Sequence, residues 1–311
     1  MNSVLHPARA GRRSSRAIGR VIGRRRGPNQ SYWGFFMVVP ILLFFVAFKF
    51  QPIIREILLS FPNANPFNSK RDFIGLDNYI QLTRDPQFIN SVGVTAYYVV
   101  GSVIPVVVAS LALALLLNER IPGVRLYRVL TFFPAIVPII VVPILWQFLL
   151  HPYGLVNLGF GIFGFPPIDW LRDKSAVIPG FILATDWRLV PLFSIVYLAG
   201  LQSIPESLYE AAKIDGATIL QRFRWITLPL LRPTMLVVVI IATIFTAKSF
   251  TLAYVLTGGG PDNATTTLPL FIFRSAFQYF RVGYASAAAM VLLAAMIIIT
   301  LANLRLFRSE D

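Results

Sequence analysis

The stretch EAAKIDGATILQRFRWITLPLLRP, residues 210–233, decides how this chain is interpreted, because it is charged and yet lies between two strongly apolar runs. Just before it, residues 203–206, Ser-Ile-Pro-Glu, have the capping-box spacing that starts a helix, with proline in the first turn. Asp215-Gly216 is a stop signal, since glycine accepts a positive φ. Residues 218–221, Thr-Ile-Leu-Gln, repeat the capping pattern. Two helices joined by a glycine elbow are therefore predicted.

The composition of the whole chain is that of an integral membrane protein. Of its 311 residues, 56% are hydrophobic and only 14% are charged, and its mean hydropathy is +0.68. It has no cysteine and two histidines, His6 and His151. A disulfide framework, a zinc site and a thiol nucleophile are therefore not expected, and no catalytic or metal-binding residue is predicted.

Six apolar stretches are long enough to cross a bilayer, which takes about 20 helical residues. An even number of spans puts both termini on one side of the membrane. The termini and the connections on that side, counted together with Arg128 and Arg305 near the span ends, hold 17 Lys and Arg residues, against 8 in the connections on the other side, so the positive-inside rule predicts cytoplasmic termini. The predicted spans are 33–50, 92–117, 126–149, 178–201, 234–256 and 285–307.

A basic arm, residues 1–32, precedes the first span. Eight arginines lie between Arg9 and Arg26, and the arm is predicted to lie on anionic lipid as a topology signal rather than to bind nucleic acid. No cleaved signal peptide is expected, because no small-residue cleavage site follows the first apolar run. The predicted divisions after the arm are the first span with its outer loop, 33–91, a five-helix core, 92–307, and a cytoplasmic tail, 308–311.

The elbow stretch resembles the EAA loop of ABC importer permeases. The resemblance is carried by Glu210-Ala-Ala, then Gly216, then nine residues to Ile226-x-Leu-Pro. The longer form EAAKIDGA, preceded by LAGLQSIPESLY and followed by ITLPLLRP, is similar to the carbohydrate-uptake, maltose-type branch. The likeness begins near Pro40 and includes GLDNY at 75–79, FFPAIVPIIVVPILWQFLL after Thr131, YGLVN at 153–157 and YVLTGGGPDNATTTL at 254–268.

This resemblance implies an all-α integral membrane protein with the six-helix, type I importer permease fold, in a multi-pass arrangement in the bacterial inner membrane. It implies a second homologous permease, a cytosolic ATPase dimer that binds ATP and Mg, and a solute-binding protein outside. The chain has no Gly-x-x-x-x-Gly-Lys-Ser/Thr segment, so it is not expected to be an enzyme or to hold a cofactor itself. The elbow, at about 202–233, would contact the ATPase through Glu210, Ala211, Ala212, Asp215 and Gly216.

Charged residues inside the predicted spans mark a candidate substrate path, because each costs about 2.5–3.5 kcal/mol to insert. Arg188 and Lys248 would accept an acidic sugar or a phosphorylated polyol, and aromatic rings would stack on its apolar face. The alternative is a structural pair of Asp186 and Lys248, with Arg188 bonded to helix carbonyls and no substrate contact. Phe250-Thr251 departs from the aromatic-Asp pair of many family members, which weakens an assignment to neutral sugars. The candidate path residues are Asp186, Trp187, Arg188, Lys248 and Tyr254.

Other functions remain open on the residues alone. The elbow stretch could be an interfacial amphipathic helix without a partner. An ion-driven secondary transporter would show inverted repeats or a helix broken near midplane with paired acidic residues, and neither is clear. A membrane enzyme would need a nucleophile and a base at one depth. Within the importer class, the substrate is expected to be an oligosaccharide, with a glycerophosphate-like polyol as the alternative.

Overall fold

The computed structural model describes residues 28–67, 72–119 and 123–308. Their regular secondary structure is helical, with connecting turns and loops and one isolated antiparallel bridge between Pro62 and Phe73. Three π-helical turns, Val46–Phe50, Phe223–Thr227 and Arg274–Gln278, interrupt the α-helices. The α-helices are Pro28–Phe45 (α1), Gln51–Leu59 (α2), Asp77–Arg84 (α3), Pro86–Asn118 (α4), Val124–Ile136 (α5), Val141–Leu149 (α6), Leu155–Ile162 (α7), Val177–Gln202 (α8), Glu206–Ile214 (α9), Ile219–Arg222 (α10), Leu228–Leu230 (α11), Arg232–Ala247 (α12), Thr251–Leu256 (α13), Leu268–Phe273 (α14) and Val282–Arg308 (α15).

Four uninterrupted helical stretches among the described residues are long and apolar enough to cross a membrane, namely Phe35–Leu59, Pro86–Asn118, Val177–Gln202 and Val282–Arg305. Two bent helix pairs raise the number to six if each pair counts as one span. The first stretch runs nine residues beyond the predicted end at residue 50. By compactness the chain divides into two units, residues 1–54 and 55–311. The predicted basic arm and tail fall mostly on 1–27 and 309–311, outside the described residues.

The third predicted span, 126–149, is bent by 105° between α5 and α6. Val137, the residue before Pro138, has φ −59° and ψ 129°. A residue before proline is driven out of the α region by the proline ring, so α5 ends at Ile136. The chain re-enters a helix only after a turn in which the Val141 amide donates to the Pro138 carbonyl at 2.9 Å.

The fifth predicted span, 234–256, is also discontinuous. Its helix α12 meets the preceding helical segment, 219–230, at 65° and ends at Ala247. Lys248 to Phe250 lie outside any helix, and α13 then starts at Thr251. The prediction of one continuous helix here is therefore wrong.

The core of the second unit is built on α4 and α8. Tyr98 and Phe181, both buried, make an edge-on ring contact between the two helices. One apolar cluster surrounds this contact and includes residues of α6, α13 and α14. A second cluster lies further along the same pair, around Val106, Phe193 and Tyr197, and includes Leu231 and Val238. This second cluster connects the helix bundle to the elbow.

The outer connection is ordered over its described residues. Asn78 of α3 is buried and donates its side-chain amide to the Ser60 carbonyl at 2.9 Å and the Pro62 carbonyl at 3.2 Å. The Tyr79 hydroxyl donates to the Ser60 hydroxyl at 2.8 Å. Asn78 and Tyr79 end the GLDNY motif, so the motif serves to fix the segment that follows α2 against α3.

Candidate functional site

The elbow has the geometry that the sequence predicts, apart from the start of its first helix. Gly216 has φ +77°, its amide donates to the Lys213 carbonyl at 3.1 Å, and the Ala217 amide donates to the Ala212 carbonyl at 2.8 Å. These two bonds form a Schellman motif, which closes α9 at Asp215. The capping box at the start of α10 is complete, with bonds in both directions between Thr218 and Gln221.

The predicted capping box at residues 203–206 is not formed. The Ser203 hydroxyl donates to the Gly200 carbonyl at 2.7 Å and so belongs to the end of α8 rather than to the start of α9. The helix α9 begins at Glu206, after Pro205 in an extended conformation with no side-chain cap.

Large apolar side chains cover the tip of the elbow. Ile214, Ile219 and Leu220 are 87%, 79% and 74% exposed. Glu210, Ala211, Asp215 and Gly216 are exposed beside them, and Ala212 is half-buried. Exposed apolar patches of this kind occur at surfaces that bind another protein or a membrane.

A hydrogen bond within the elbow and apolar packing against the bundle hold the elbow in place. The hydroxyls of Tyr209 on α9 and Thr227 in the second π turn are 2.9 Å apart. Phe223 and Leu228 pack against the cluster that holds the fully buried Leu231. The C-terminal part of the elbow is therefore in close-packed contact with α8 and α12.

Asp186 lies in a polar cluster between α4 and α8. Its carboxylate accepts a hydrogen bond from Ser102 at 2.5 Å. One turn away, the hydroxyls of Tyr98 and Thr185 are 2.6 Å apart, and the Ser249 side chain interacts with the Tyr98 hydroxyl. The helix break at Lys248–Phe250 thus contacts α4 at Tyr98, whose hydroxyl also reaches Thr185, the residue before Asp186.

The two cations of the predicted path have no carboxylate partner among the described residues. No ion pair within 4.0 Å joins Asp186 to Lys248, and the Lys248 side chain is exposed. The Nε of Arg188 is buried and has no hydrogen-bond partner. Bonding of this nitrogen to helix carbonyls, part of the structural alternative, is therefore not present.

The two predicted aromatic residues lie in separate ring clusters. Trp187 meets Trp146 edge-on, with ring centroids 6.2 Å apart. Tyr254 stacks on Phe250 at 5.3 Å and 17° and meets Phe273 edge-on at 5.5 Å. Tyr254 is half-exposed, so one part of its ring is open to a ligand.

Sequence reasoning missed Ser102, Tyr98 and Ser249, which are the polar neighbours of the path. Serine and threonine are common in spans and usually bond to their own helix, as Thr243 and Thr246 do here. No sequence signal distinguishes the ones that reach another helix. Also missed was an open cleft of about 330 Å³, lined by Asn63, Ile74, Asp77, Asn78, Gln81, Arg281 and Tyr284.

The family model for "binding-protein-dependent transport system inner membrane component" matches residues 93–309. The chain belongs to this family. It is therefore a multi-pass inner-membrane permease component and not an enzyme. The predicted all-α permease fold is confirmed.

Individual relatives agree with the family match. The chain is 35% identical to the trehalose/maltose transport system permease protein MalF of Thermococcus litoralis over 269 residues, which are 86% of this chain and 90% of the relative. It is 33% identical to the multiple sugar-binding transport system permease protein MsmF of Streptococcus mutans, with 90% and 97% covered. A chain of a bacterial ABC transporter involved in the import of the acidic polysaccharide alginate superposes with a TM-score of 0.78 at 26% identity, with 91% and 97% covered.

Proposed function

We propose that this chain is a permease subunit of an ATP-driven carbohydrate importer. It forms the substrate path with a second, homologous permease, receives its substrate from a solute-binding protein on the outside, and is driven by a cytosolic ATPase dimer that holds ATP and Mg. The observation that carries the proposal is the elbow, which is a capped turn whose apolar tip is left exposed by the rest of the described residues. The relatives named for sugar transport support the choice of substrate class.

The elbow couples the ATPase to the path. Ile214, Ile219 and Leu220 enter a groove of the ATPase, and the exposed carboxylate of Glu210 bonds to a basic or polar group at its rim. Closure of the ATPase dimer then displaces α9 and α10 as one body, because the Schellman motif and the capping box fix the turn between them. The buried Leu231 passes this displacement to α8 and α12.

This assignment gives the chain an orientation. The elbow follows the C-terminal end of α8 and lies on the cytoplasmic side with both termini, in agreement with the excess of Lys and Arg on that side. The outer connection with α3 then faces the solute-binding protein.

Within the path, Arg188 and Lys248 accept an acidic group of the substrate. Asp186 is engaged by Ser102 and pairs with neither cation, which leaves an excess of positive charge near the helix break. A buried guanidinium nitrogen without a partner is costly, and a carboxylate or phosphate of the substrate would satisfy it. Trp187 and the open part of the Tyr254 ring provide apolar contact for sugar rings.

Coupling is tested with an affinity-tagged chain purified from its own cells and reconstituted with its binding protein. The ATPase should co-purify, and Leu220→Asp or Ile219→Asp should reduce co-purification and ATP-dependent uptake at least tenfold, since a charge would enter an apolar groove. Glu210→Ala should reduce uptake. Glu119→Ala, a carboxylate outside the elbow, is the matched control and should behave as the wild type. Normal co-purification and uptake in the two Asp variants would refute the assignment.

The acidic preference is tested in the same vesicles with a uronic-acid oligosaccharide and a neutral glucan oligosaccharide. Arg188→Gln and Lys248→Gln should each depress uptake of the acidic compound more than uptake of the neutral one. Equal loss for both compounds would mean that the two cations have a structural role.

A further inference from the structure

The helix α7 lies in the connection between α6 and α8, and its position is fixed by the turn that precedes it. A Cβ atom at Gly154 would lie 2.4 Å from the carbonyl oxygens of Phe148 and Leu149. Only glycine permits this approach. The start of α7 is therefore packed directly on the C-terminal end of α6.

A buried asparagine fixes the rest of this connection. The side-chain amide of Asn157 donates to the Ile168 carbonyl at 2.8 Å and to the Pro152 carbonyl at 3.1 Å. Its side-chain oxygen accepts from the Ile168 amide at 3.1 Å and from the Trp170 indole at 3.0 Å. The segment from Pro152 to Trp170 is thus closed on itself by one side chain, and the outward surface of α7 is a fixed feature of the fold.

That outward surface is entirely apolar. Leu155, Leu158 and Ile162 lie on one face of α7 and are 69%, 61% and 83% exposed. Phe163 and Phe165, just after the helix, are exposed as well. From residue 151 to residue 168 the sequence contains no Asp, Glu, Lys or Arg. An exposed apolar surface of this kind needs a covering partner.

Three observations indicate that the covering partner is lipid. The preceding helix α6 also has an exposed apolar stripe, Val141, Ile144 and Phe148, and α6 is half of a bent pair that together is long and apolar enough to cross a membrane. It is bulky, whereas contacts between membrane helices favour small residues. Charged residues begin immediately beyond it, at Asp169, and Lys174 is exposed, as expected where the chain leaves the membrane boundary for water.

We propose that α7, with Phe163 and Phe165, is an interfacial anchor that lies in the headgroup–acyl boundary of the leaflet opposite the elbow. Such anchors bury their apolar face about 5–10 Å deep in that boundary. By holding the end of α6 and the start of α8 at a fixed depth, the anchor sets the vertical position of the bent third span. This role does not depend on which substrate is transported.

The absence of cysteine allows single nitroxide labels in the otherwise unchanged full chain, purified with its associated subunits and reconstituted in vesicles of phosphatidylcholine and phosphatidylglycerol. Labels are placed by Leu158→Cys and Ile162→Cys. Phe148→Cys serves as the lipid control and Lys174→Cys as the water control. Power saturation with oxygen and with a water-soluble nickel chelate reports the surroundings of each label. Gel filtration excludes misfolded variants, and Leu155→Cys replaces either test position that fails.

The expected ratio of oxygen to nickel accessibility at residues 158 and 162 is several-fold higher than at residue 174 and close to that at residue 148. Nickel accessibility equal to that at residue 174 would place α7 in water and overturn the proposal. Low accessibility to both reagents would mean that protein, such as the second permease, covers the face, and would also overturn it.

Discussion

Substitution of Gly216 tests whether the conformation of the elbow, rather than its surface, drives coupling. Gly216 has φ +77°, and a Cβ added there would meet nothing within 4 Å. The cost of a side chain is therefore a backbone cost alone. Left-handed φ costs an ordinary L residue about 1–2 kcal/mol, which lowers the equilibrium constant between the native elbow and its open forms by about 5- to 30-fold. Asparagine tolerates this region better than alanine, and valine tolerates it worst.

We therefore expect the uptake obtained per ATP hydrolysed, measured in reconstituted vesicles, to decrease in the order Gly, Asn, Ala, Val at position 216. Hydrogen exchange at the Ala217 amide, which donates to Ala212 at 2.8 Å in the native turn, reports the elbow population directly and should speed up in the same order. The variants should insert and assemble normally. If Gly216→Val retained both wild-type exchange at Ala217 and wild-type coupling, the reasoning would be refuted.

Three further substitutions test local parts of the structure. Thr218→Val removes an N-cap bond, for a cost of about 1 kcal/mol, and should speed up amide exchange in α10, whereas Gln221→Glu keeps the capping box and should leave exchange unchanged. Asn157→Leu leaves the Trp170 indole and the Ile168 backbone groups without partners, at about 1–3 kcal/mol each. It should lower the thermal unfolding temperature in detergent, and an unchanged temperature would show that water replaces the amide. The planar guanidinium of Arg274 donates hydrogen bonds to both Gly258 and Asn263, and Arg274→Lys replaces it with a point charge. Proteases should therefore cleave the 257–267 loop faster in this variant. Equal cleavage rates would mean that the loop holds its own shape.

The elbow was predictable because its signals are local. A capping box and a glycine stop act within four residues, and both form as predicted at Thr218–Gln221 and Gly216. The same pattern failed at Ser203 because that residue also ends α8, and its hydroxyl bonds back to Gly200. A capping signal in the sequence is therefore reliable only where the capping side chain is not already bonded to the end of the preceding helix.

Hydropathy located the apolar runs but not their breaks. The predicted runs 92–117, 178–201 and 285–307 match continuous helices within about six residues, although Pro105 and Pro191 lie inside two of them. The run 126–149 contains Val137-Pro138, and the pre-proline restriction acts on backbone angles that a hydropathy average does not register. The partner of Asp186 was equally hidden, because Ser102 lies 84 residues away and the contact depends on how α4 and α8 are rotated.

The break after Ala247 and the motif TGGGPDNATTT, residues 257–267, form one structural unit. Ending α12 at Ala247 frees the Ser249 carbonyl, which would be costly if it remained unsatisfied in a membrane. The Thr267 hydroxyl donates to it at 3.2 Å. Thr267 is held in place because the next amide, that of Leu268, donates to the hydroxyl of Thr95 on α4 at 2.8 Å.

The rest of the motif satisfies its own backbone in the same way. Thr265 and Thr266 are buried, and their hydroxyls donate to the carbonyls of Gly260 at 2.7 Å and Gly259 at 3.2 Å. The guanidinium of Arg274 donates to the Gly258 carbonyl. Irregular backbone is thus permitted beside the path because each threonine hydroxyl donates a hydrogen bond to a carbonyl that has no helical N–H partner. The consequence is a fixed break that begins at Lys248, so this cation lies at the end of α12 and not inside a continuous helix.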